Sequence, residues 1–334
     1  MTKTPQVVVS ASIAYDHIMQ FDGSFKDHIL PDKAHVLSVS FLLGSLKHQR
    51  GGVAGNMGYN LALLGIPVAL VGAVGPDFGP YGDVLERLGV DLSYVRRVDD
   101  DLTATAYMNA DMAGNQIAAF YPGPSALTRE IDVTEVAGGA RYGIVSAGDP
   151  VAMMLHTEQI AAASKLVFDP AQQIVILDGD QLSRGIELAE IVIGNDYELG
   201  MIERKTGLTV DAISQKAPMT VVTFGDRGSE IRAGGEVVAI PTATPNPIVD
   251  PTGAGDAYRA GLVAGLLLEK DLPVAGRMAA LTATYAVEFH GTQEHAYTHE
   301  EFVARFGAAF PDFRDALSVE DLSRFADHPA SIAR

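Results

Sequence analysis

Two periods of apolar and polar residues alternate along most of this chain. Val7-Val8-Val9-Ser10-Ala11 is a short, nearly continuous apolar run, which predicts a strand covered on both faces. From Gly55 the period becomes helical, with Met57, Leu61 and Leu64 on one face, and it stops at Gly65. Residues 67–74 predict the next strand and 79–88 the next helix. Segments 103–108 and 116–120 flank Asp111-Met112-Ala113-Gly114-Asn115, which is a hairpin signal. Beyond it, strands are expected at 142–145, 166–168, 191–193 and 220–223, with helices at 151–163, 183–189 and 196–205 between them. A second hairpin is read at 230–240, and helices near 255–268 and 275–289 close the core. The last stretch reads as polar and helical and is expected to pack on the surface.

Regular alternation of this kind predicts an α/β fold, with a central, mostly parallel sheet flanked by helices on both faces. Residues 20–50 break the pattern. They carry Pro31, several charges and an alternation at His35-Val36-Leu37-Ser38-Val39 that reads as a short strand. Segments of about 12–50 and 100–122 are interrupted by core elements. They are therefore expected to form one small β-sheet lid inserted in a single domain spanning 1–334. No internal repeat, low-complexity tract or Pro/Ser-rich linker divides the chain.

Composition narrows the chemistry. The 334 residues are 47% hydrophobic, enough for an ample core, and a mean hydropathy of +0.14 describes a globular chain. A formal charge of −18 excludes a nucleic-acid partner, since phosphate backbones demand basic surface. On so acidic a protein, a nucleoside triphosphate needs local help from backbone donors, a basic residue or Mg²⁺. With no cysteine there is no disulfide, thiolate nucleophile or Cys-ligated zinc. The N-terminal residues lack a signal-peptide apolar region, and no apolar run is long enough to span a membrane, so a cytoplasmic location is expected.

The most informative stretch is Asp250-Pro251-Thr252-Gly253-Ala254-Gly255-Asp256-Ala257-Tyr258-Arg259-Ala260-Gly261. Small residues let several backbone N–H groups converge at the first turn of a helix, a site for an anion such as phosphate. Asp256 in that turn is a poor phosphate ligand but a good base, which points to deprotonation of a hydroxyl as it attacks phosphorus. A capped, glycine-rich helix start with Asp256 serving the macrodipole is the competing reading.

The stretch closely resembles the C-terminal signature of the PfkB/ribokinase family of carbohydrate and nucleoside kinases, and the resemblance runs through most of the chain. It implies a ribokinase-like α/β core with a lid over the sugar, and ATP as co-substrate. Gly51-Gly52-Val53-Ala54-Gly55-Asn56 resembles the family's N-terminal glycine pair, with Gly52 approaching a sugar and Asn56 bonding its hydroxyl. A tight turn with Asn56 as helix N-cap explains the same residues. Asp16 matches the family's sugar-binding acid at the end of a first strand; otherwise it is a solvated loop acid.

Asn195-Asp196-Tyr197-Glu198 resembles the family's Asn-x-x-Glu motif. By that resemblance Asn195 reaches nucleotide phosphate and Glu198 holds Mg²⁺ through water, although a plain capping box has the same spacing. Thr223-Phe224-Gly225-Asp226-Arg227-Gly228 resembles the segment lining the ATP site, with Thr223, Gly225 and Gly228 as contacts; turn chemistry alone also explains its glycines. Near Ala280 the chain offers neither the Asn nor the His that family members often place beside adenine. Asp250 matches the acid that some relatives use at a monovalent-cation site, which makes K⁺ an expected activator. His290, His295 and His299 lack a carboxylate geometry for zinc, and Phe289-His290-Gly291-Thr292 reads instead as closing the nucleotide pocket.

The implied mechanism places a sugar on Asp16, Gly52 and Asn56 with its primary hydroxyl facing Asp256. Amides of Gly253, Ala254 and Gly255 then stabilise the moving phosphoryl group. Ser12-Ile13-Ala14-Tyr15-Asp16, Asp27-His28-Ile29-Leu30-Pro31-Asp32-Lys33 and Phe168-Asp169-Pro170-Ala171-Gln172-Gln173 resemble bacterial nucleoside kinases related to adenosine kinase. Ala14, Met108, Ala118 and Phe120 are candidates for the base slot, with Phe120 stacking on the base, or else they are hairpin core. A kinase of a free sugar such as ribose or fructose is the runner-up. A catalytically silent sugar-binding protein is the third reading, and the presence of Asp256 and its glycines argues against it. Lid edges that pair between subunits would give a homodimer.

Overall fold

The computed structural model describes residues 4–29 and 38–325. The first half contributes β1 (Val7–Ser10), β2 (Ala14–Phe21), β3 (Leu43–Gly51), α1 (Val53–Leu63), β4 (Val68–Val74), α2 (Gly79–Arg87) and β5 (Asp91–Arg97). Then come β6 (Ala104–Asp111), β7 (Gln116–Tyr121), α3 (Thr134–Gly139), β8 (Tyr142–Val145), α4 (Pro150–Ala163), β9 (Lys165–Phe168) and α5 (Gly179–Leu188). The chain continues through β10 (Ile191–Asn195), α6 (Asp196–Thr206), α7 (Val210–Lys216), β11 (Met219–Thr223), β12 (Ser229–Ala233) and β13 (Glu236–Ile240). It ends in α8 (Ala254–Leu267), α9 (Leu272–Val287), α10 (His299–Ala309) and α11 (Val319–Ser323).

Nine strands form one sheet in the order β13-β12-β11-β10-β9-β8-β1-β4-β5. From β11 to β5 every neighbouring pair is parallel, and β12 and β13 add an antiparallel edge. The continuous apolar runs explain the parallel core, because both faces of these strands are covered. Val7 and Val9 pack on one side with α1, α2, α8, α9 and α10. Val8 points the other way and packs with α3 to α7.

Four strands form a second sheet in the order β3-β2-β6-β7. Its central pair, β2 and β6, is parallel, with Ala14 opposite Ala104, while β3 and β7 flank it antiparallel. This sheet leaves the core through the loop after β1 and returns at α1, so its β2–β3 end stands beside the C-terminal ends of the core strands. The expected strand at 35–39 and the segment 30–33 fall wholly or partly outside the described residues.

Asp16, within the segment 12–50 expected to form the small sheet, is the third residue of β2, opposite Gln49 of β3. One sequence expectation differs from the structure. The final stretch was expected on the surface, yet Phe302 and Phe306 of α10 are fully buried in the main core. Their spacing of four puts both rings on one helical face, while the capping box of Thr298 and Glu301 supplies the polar start.

Candidate active site

Helix α8 begins where the sequence placed its anion turn. Gly253 occupies the cap position with φ 78°, a left-handed conformation open to glycine, and no side chain caps the helix. A Cβ on Gly253 would lie 2.8 Å from Thr292 Cγ2. No side chain takes up the first-turn amides: the Ala254 N–H turns back to the Pro251 carbonyl at 3.3 Å, and Ala254 and Gly255 both line a cavity. Asp250 holds the approach: its two carboxylate oxygens accept the N–H groups of Thr252 at 2.9 Å and Gly291 at 3.2 Å. Burial alone would raise Asp250, but these bonds keep it below the ordinary carboxylate value.

Asp256 sits in the same first turn, partly buried. Its Oδ2 accepts Asn56 Nδ2 at 2.8 Å. Loss of water pushes its pKa up to about 6, against the pull of the Asn56 bond and of the Arg259 charge; Asp169 and Glu198 push it the same way as burial. A base poised there is half ionised near pH 6 and largely ionised above it.

Asn56 lies in the first turn of α1, but the cap residue is Gly52, with φ 79°. A Cβ at Gly52 would lie 2.4 Å from the Ala14 nitrogen, so glycine lets α1 start against the first residue of β2. Ser12 serves this helix start, its hydroxyl accepting from Val53 N at 3.2 Å and its carbonyl from Ala54 N at 2.8 Å. The Asn56 amide, expected on a sugar hydroxyl, is engaged at both ends. Its nitrogen faces Asp256, while its oxygen faces Thr292 Oγ1 at 2.7 Å and Gln293 Nε2 at 3.0 Å. Asp16 comes close by way of Gly51, whose Cβ would collide with the Asp16 carboxylate. Burial first, then the Asp250 charge, pushes Asp16 up to about 6.

On the other side of the anion turn lies a cavity of about 260 Å³, lined mainly by apolar atoms of Tyr258, Ile248, Ala280, Ala283 and Val287. Thr223, Gly225, Gly228 and Gly255 line it too, so the four positions come together. Asn195 ends β10 directly opposite Thr223. Asn195 and Glu198 form a reciprocal capping box at the start of α6, each side chain accepting the other's backbone N–H at 2.8 Å. Burial, then Asp169, raises Glu198 above its ordinary value.

Phe120 stands apart: it is 59% exposed on β7 and does not line this cavity. Thr292 packs on the anion turn rather than on the cavity, which Val287 closes instead. His295 donates from Nε2 to Asn60 Oδ1 at 2.8 Å, deep in the core.

Sequence reasoning passed over a buried ion pair beneath the site. Arg259, one turn after Asp256, puts Nη2 2.6 Å from Asp169 Oδ1 and Nε 2.6 Å from Oδ2, with Glu198 at 3.6 Å. Ser146 donates to the same Asp169. The available signal was a cation inside the apolar run 257–268, which requires a buried counter-charge.

A partly buried carboxyl in the first turn of a glycine-rich helix start, with an apolar cavity of about 260 Å³ beside it, fits a phosphotransferase with an alcohol acceptor. The chain belongs to the pfkB family of carbohydrate kinases, whose pattern matches residues 15–299. It is 31% identical over 313 residues to a nucleoside kinase of Methanothermobacter thermautotrophicus, covering 92% of this chain and 97% of that one. Its backbone is similar to that of a Burkholderia thailandensis nucleoside kinase in complex with inosine, with TM-score 0.82 and 36% identity over 91% of this chain and 98% of that one. The same kinase in complex with ADP-inosine gives TM-score 0.80 and 38% identity, covering 91% and 96%.

Proposed function

We propose that the protein transfers the γ-phosphoryl group of ATP to the 5′-hydroxyl of a ribonucleoside, with Asp256 as general base. The observation that carries this reading is the junction at α8: a carboxyl poised near neutrality in the first turn of a helix whose start has no side-chain cap and lines the 260 Å³ cavity. Asp256 takes the hydroxyl proton, the oxygen bonds to the γ-phosphorus, and the bond to the β-phosphate oxygen breaks. The products are a nucleoside 5′-monophosphate and ADP. Amides of Gly253, Ala254 and Gly255 meet the charge on the transferring group.

Adenine enters among Ala280, Ala283 and Val287, where apolar contact replaces a specific side-chain partner. Thr223, Gly225 and Gly228 follow the ribose and phosphates, with Asn195 at the adjoining strand end. Asp16 and Gly52 receive the ribose hydroxyls, with Asn56 at the Asp256 side. The second sheet acts as a lid over this acceptor, its Phe120 closing on the base, and belongs to the one domain. The inosine complex of the Burkholderia kinase favours a purine nucleoside.

The donor sets suit two ions. Glu198 keeps acceptor capacity beyond its bond to Asn195, which fits Mg²⁺ held through water. When bound, Mg²⁺ neutralises phosphate charge. Asp250 draws together the loops at Thr252 and Gly291, which fits a K⁺ shell of backbone oxygens. Equal rates in potassium and choline salts would remove the K⁺ assignment.

Exposed apolar residues on the second sheet, Leu46, Tyr107, Ile117 and Tyr121 among them, support a homodimer through this face; sedimentation tests it. ATP turnover against a panel of nucleosides, ribose and fructose tests the substrate. The highest kcat/KM is expected on a ribonucleoside, and a free sugar ahead of every nucleoside would overturn that choice.

A further inference from the structure

A chain of buried polar groups runs from a main-chain carbonyl to the candidate base. Tyr81 of α2 donates its hydroxyl to the Gly51 carbonyl at 2.9 Å. Gln293 Nε2 lies 2.5 Å from the Tyr81 oxygen and 3.0 Å from Asn56 Oδ1. Asn56 Nδ2 meets Asp256 Oδ2 at 2.8 Å. Tyr81, Gln293 and Asn56 are all at most 5% exposed, so water does not rearrange their protons at will.

The direction of every bond in this chain follows from its first member. A carbonyl only accepts, so the single Tyr81 proton is spent on Gly51. The Tyr81 oxygen must then accept, and only the NH₂ end of Gln293 can donate to it. That NH₂ also faces Asn56, which turns the Asn56 oxygen toward it. A planar amide with its oxygen on that side presents its NH₂ to Asp256. Thr292 is indifferent, since its hydroxyl lies within reach of both the Arg50 carbonyl and Asn56 Oδ1. Gln293 Oε1 is buried with no partner, the mark of an amide held in one orientation by its other end.

We propose that Tyr81 and Gln293 are positioning residues which, through Asn56, hold a hydrogen-bond donor against Asp256 and so keep it ionised as the base. This rests on Asp256 serving as the base in the reaction above. Other groups act on the same carboxyl: Arg259 from α8, Asp169 from the end of β9 and Glu198 from α6. Asp16 and Arg50 lie near the Tyr81 end. All five remain in place in the variants below.

The test is Gln293→Glu. An ionised carboxylate at 293 only accepts, so Asn56 turns its NH₂ to it and its oxygen to Asp256, which must then hold a proton. Single-turnover rates with ATP and the preferred nucleoside, measured across pH, report the change. The acidic limb is expected to move up by about one pH unit, lowering the rate near pH 6 by about fivefold and restoring it in alkali. The KM for ATP should stay within about twofold, which a general loss of structure would not allow. Tyr81→Phe removes one oxygen and is expected to shift the limb in the same direction by less. An unmoved limb in folded Gln293→Glu overturns the relay; where that variant does not fold, an unmoved limb in Tyr81→Phe does so. Asp256→Asn run alongside separates the two claims. Near-normal turnover there removes the base itself, whereas an inactive Asp256→Asn beside an unmoved limb removes only the relay.

Discussion

Arg259 grips Asp169 with two nitrogens, each 2.6 Å from a different carboxylate oxygen, one helical turn below Asp256. Asp169 is wholly buried and Arg259 nearly so. The pair ties α8 to the end of β9 and, through Glu198, to the start of α6. The Nη2 hydrogen bond to Oδ1, with Nε close against Oδ2, holds the two charges together out of water.

Breaking one half leaves the other charged and unpaired. Arg259→Met is therefore expected to cost about 3–5 kcal/mol, read from the urea midpoint at constant m-value. Combining it with Asp169→Leu should cost clearly less than the two single changes added together, because both charges then vanish. Strict additivity would mean that the ion pair carries no coupling.

Asp256→Asn is expected to lower turnover by at least about 10²–10⁴-fold while leaving nucleoside affinity nearly intact, measured by calorimetry beside steady-state kinetics. The same change tests the linkage to stability. Asp16 and Asp256 are both raised to about 6, so each prefers its protonated form in the folded protein. Their contribution is fully present below the ordinary carboxylate value and is lost as pH climbs through about 6. Asp16→Asn or Asp256→Asn should thus raise the thermal midpoint at about pH 8 and change it little at about pH 4. A variant less stable than the parent at the higher pH would contradict the sign.

How much of this was written in the chain differs from element to element. β1, β4 and β8 to β11 read clearly, because strands covered on both faces need uninterrupted apolar runs and tolerate little else. The α8 start read clearly too, since Gly253 must adopt a left-handed backbone and its neighbours must stay small. The strand β2 that carries Asp16 was legible only as part of the segment 12–50, because local alternation does not say where a strand starts or which neighbour it pairs with. The capping box of Asn195 and Glu198 and the nucleotide reading of the same pair are compatible, so the motif alone could not choose. Partners such as Tyr81 and Gln293 lie 212 residues apart, and no spacing rule connects them. Their pairing follows only from how α2 and the loop after α9 meet across Gly51.

Gly253→Ala puts a methyl group into a φ of 78° and 2.8 Å from Thr292 Cγ2. The backbone conformation alone costs about 1–2 kcal/mol, and the contact forces the turn or Thr292 to move. If the amides of this turn meet the transferring group, the loss falls mainly on kcat, by about 10–10³-fold, with the nucleoside KM changed far less. A variant that loses nucleoside affinity but keeps kcat would place the turn on the acceptor instead.

Ala283 offers the cleanest separation of the two substrates. It lines the 260 Å³ cavity from α9, whereas Asp256, Asn56 and Asp16 do not line it. Ala283→Leu adds about three heavy atoms to an apolar wall and overfills it, a change that costs roughly 1–3 kcal/mol where space is already shaped. If the adenine of ATP occupies that space, the KM for ATP rises by about 10–100-fold, and the nucleoside KM and the pH profile stay put. The fold should tolerate the change, since the new side chain enters a cavity rather than the packed interior between α8 and α9. An increase in the nucleoside KM with ATP unaffected would exchange the two sites, and with them the direction in which the phosphoryl group crosses the turn.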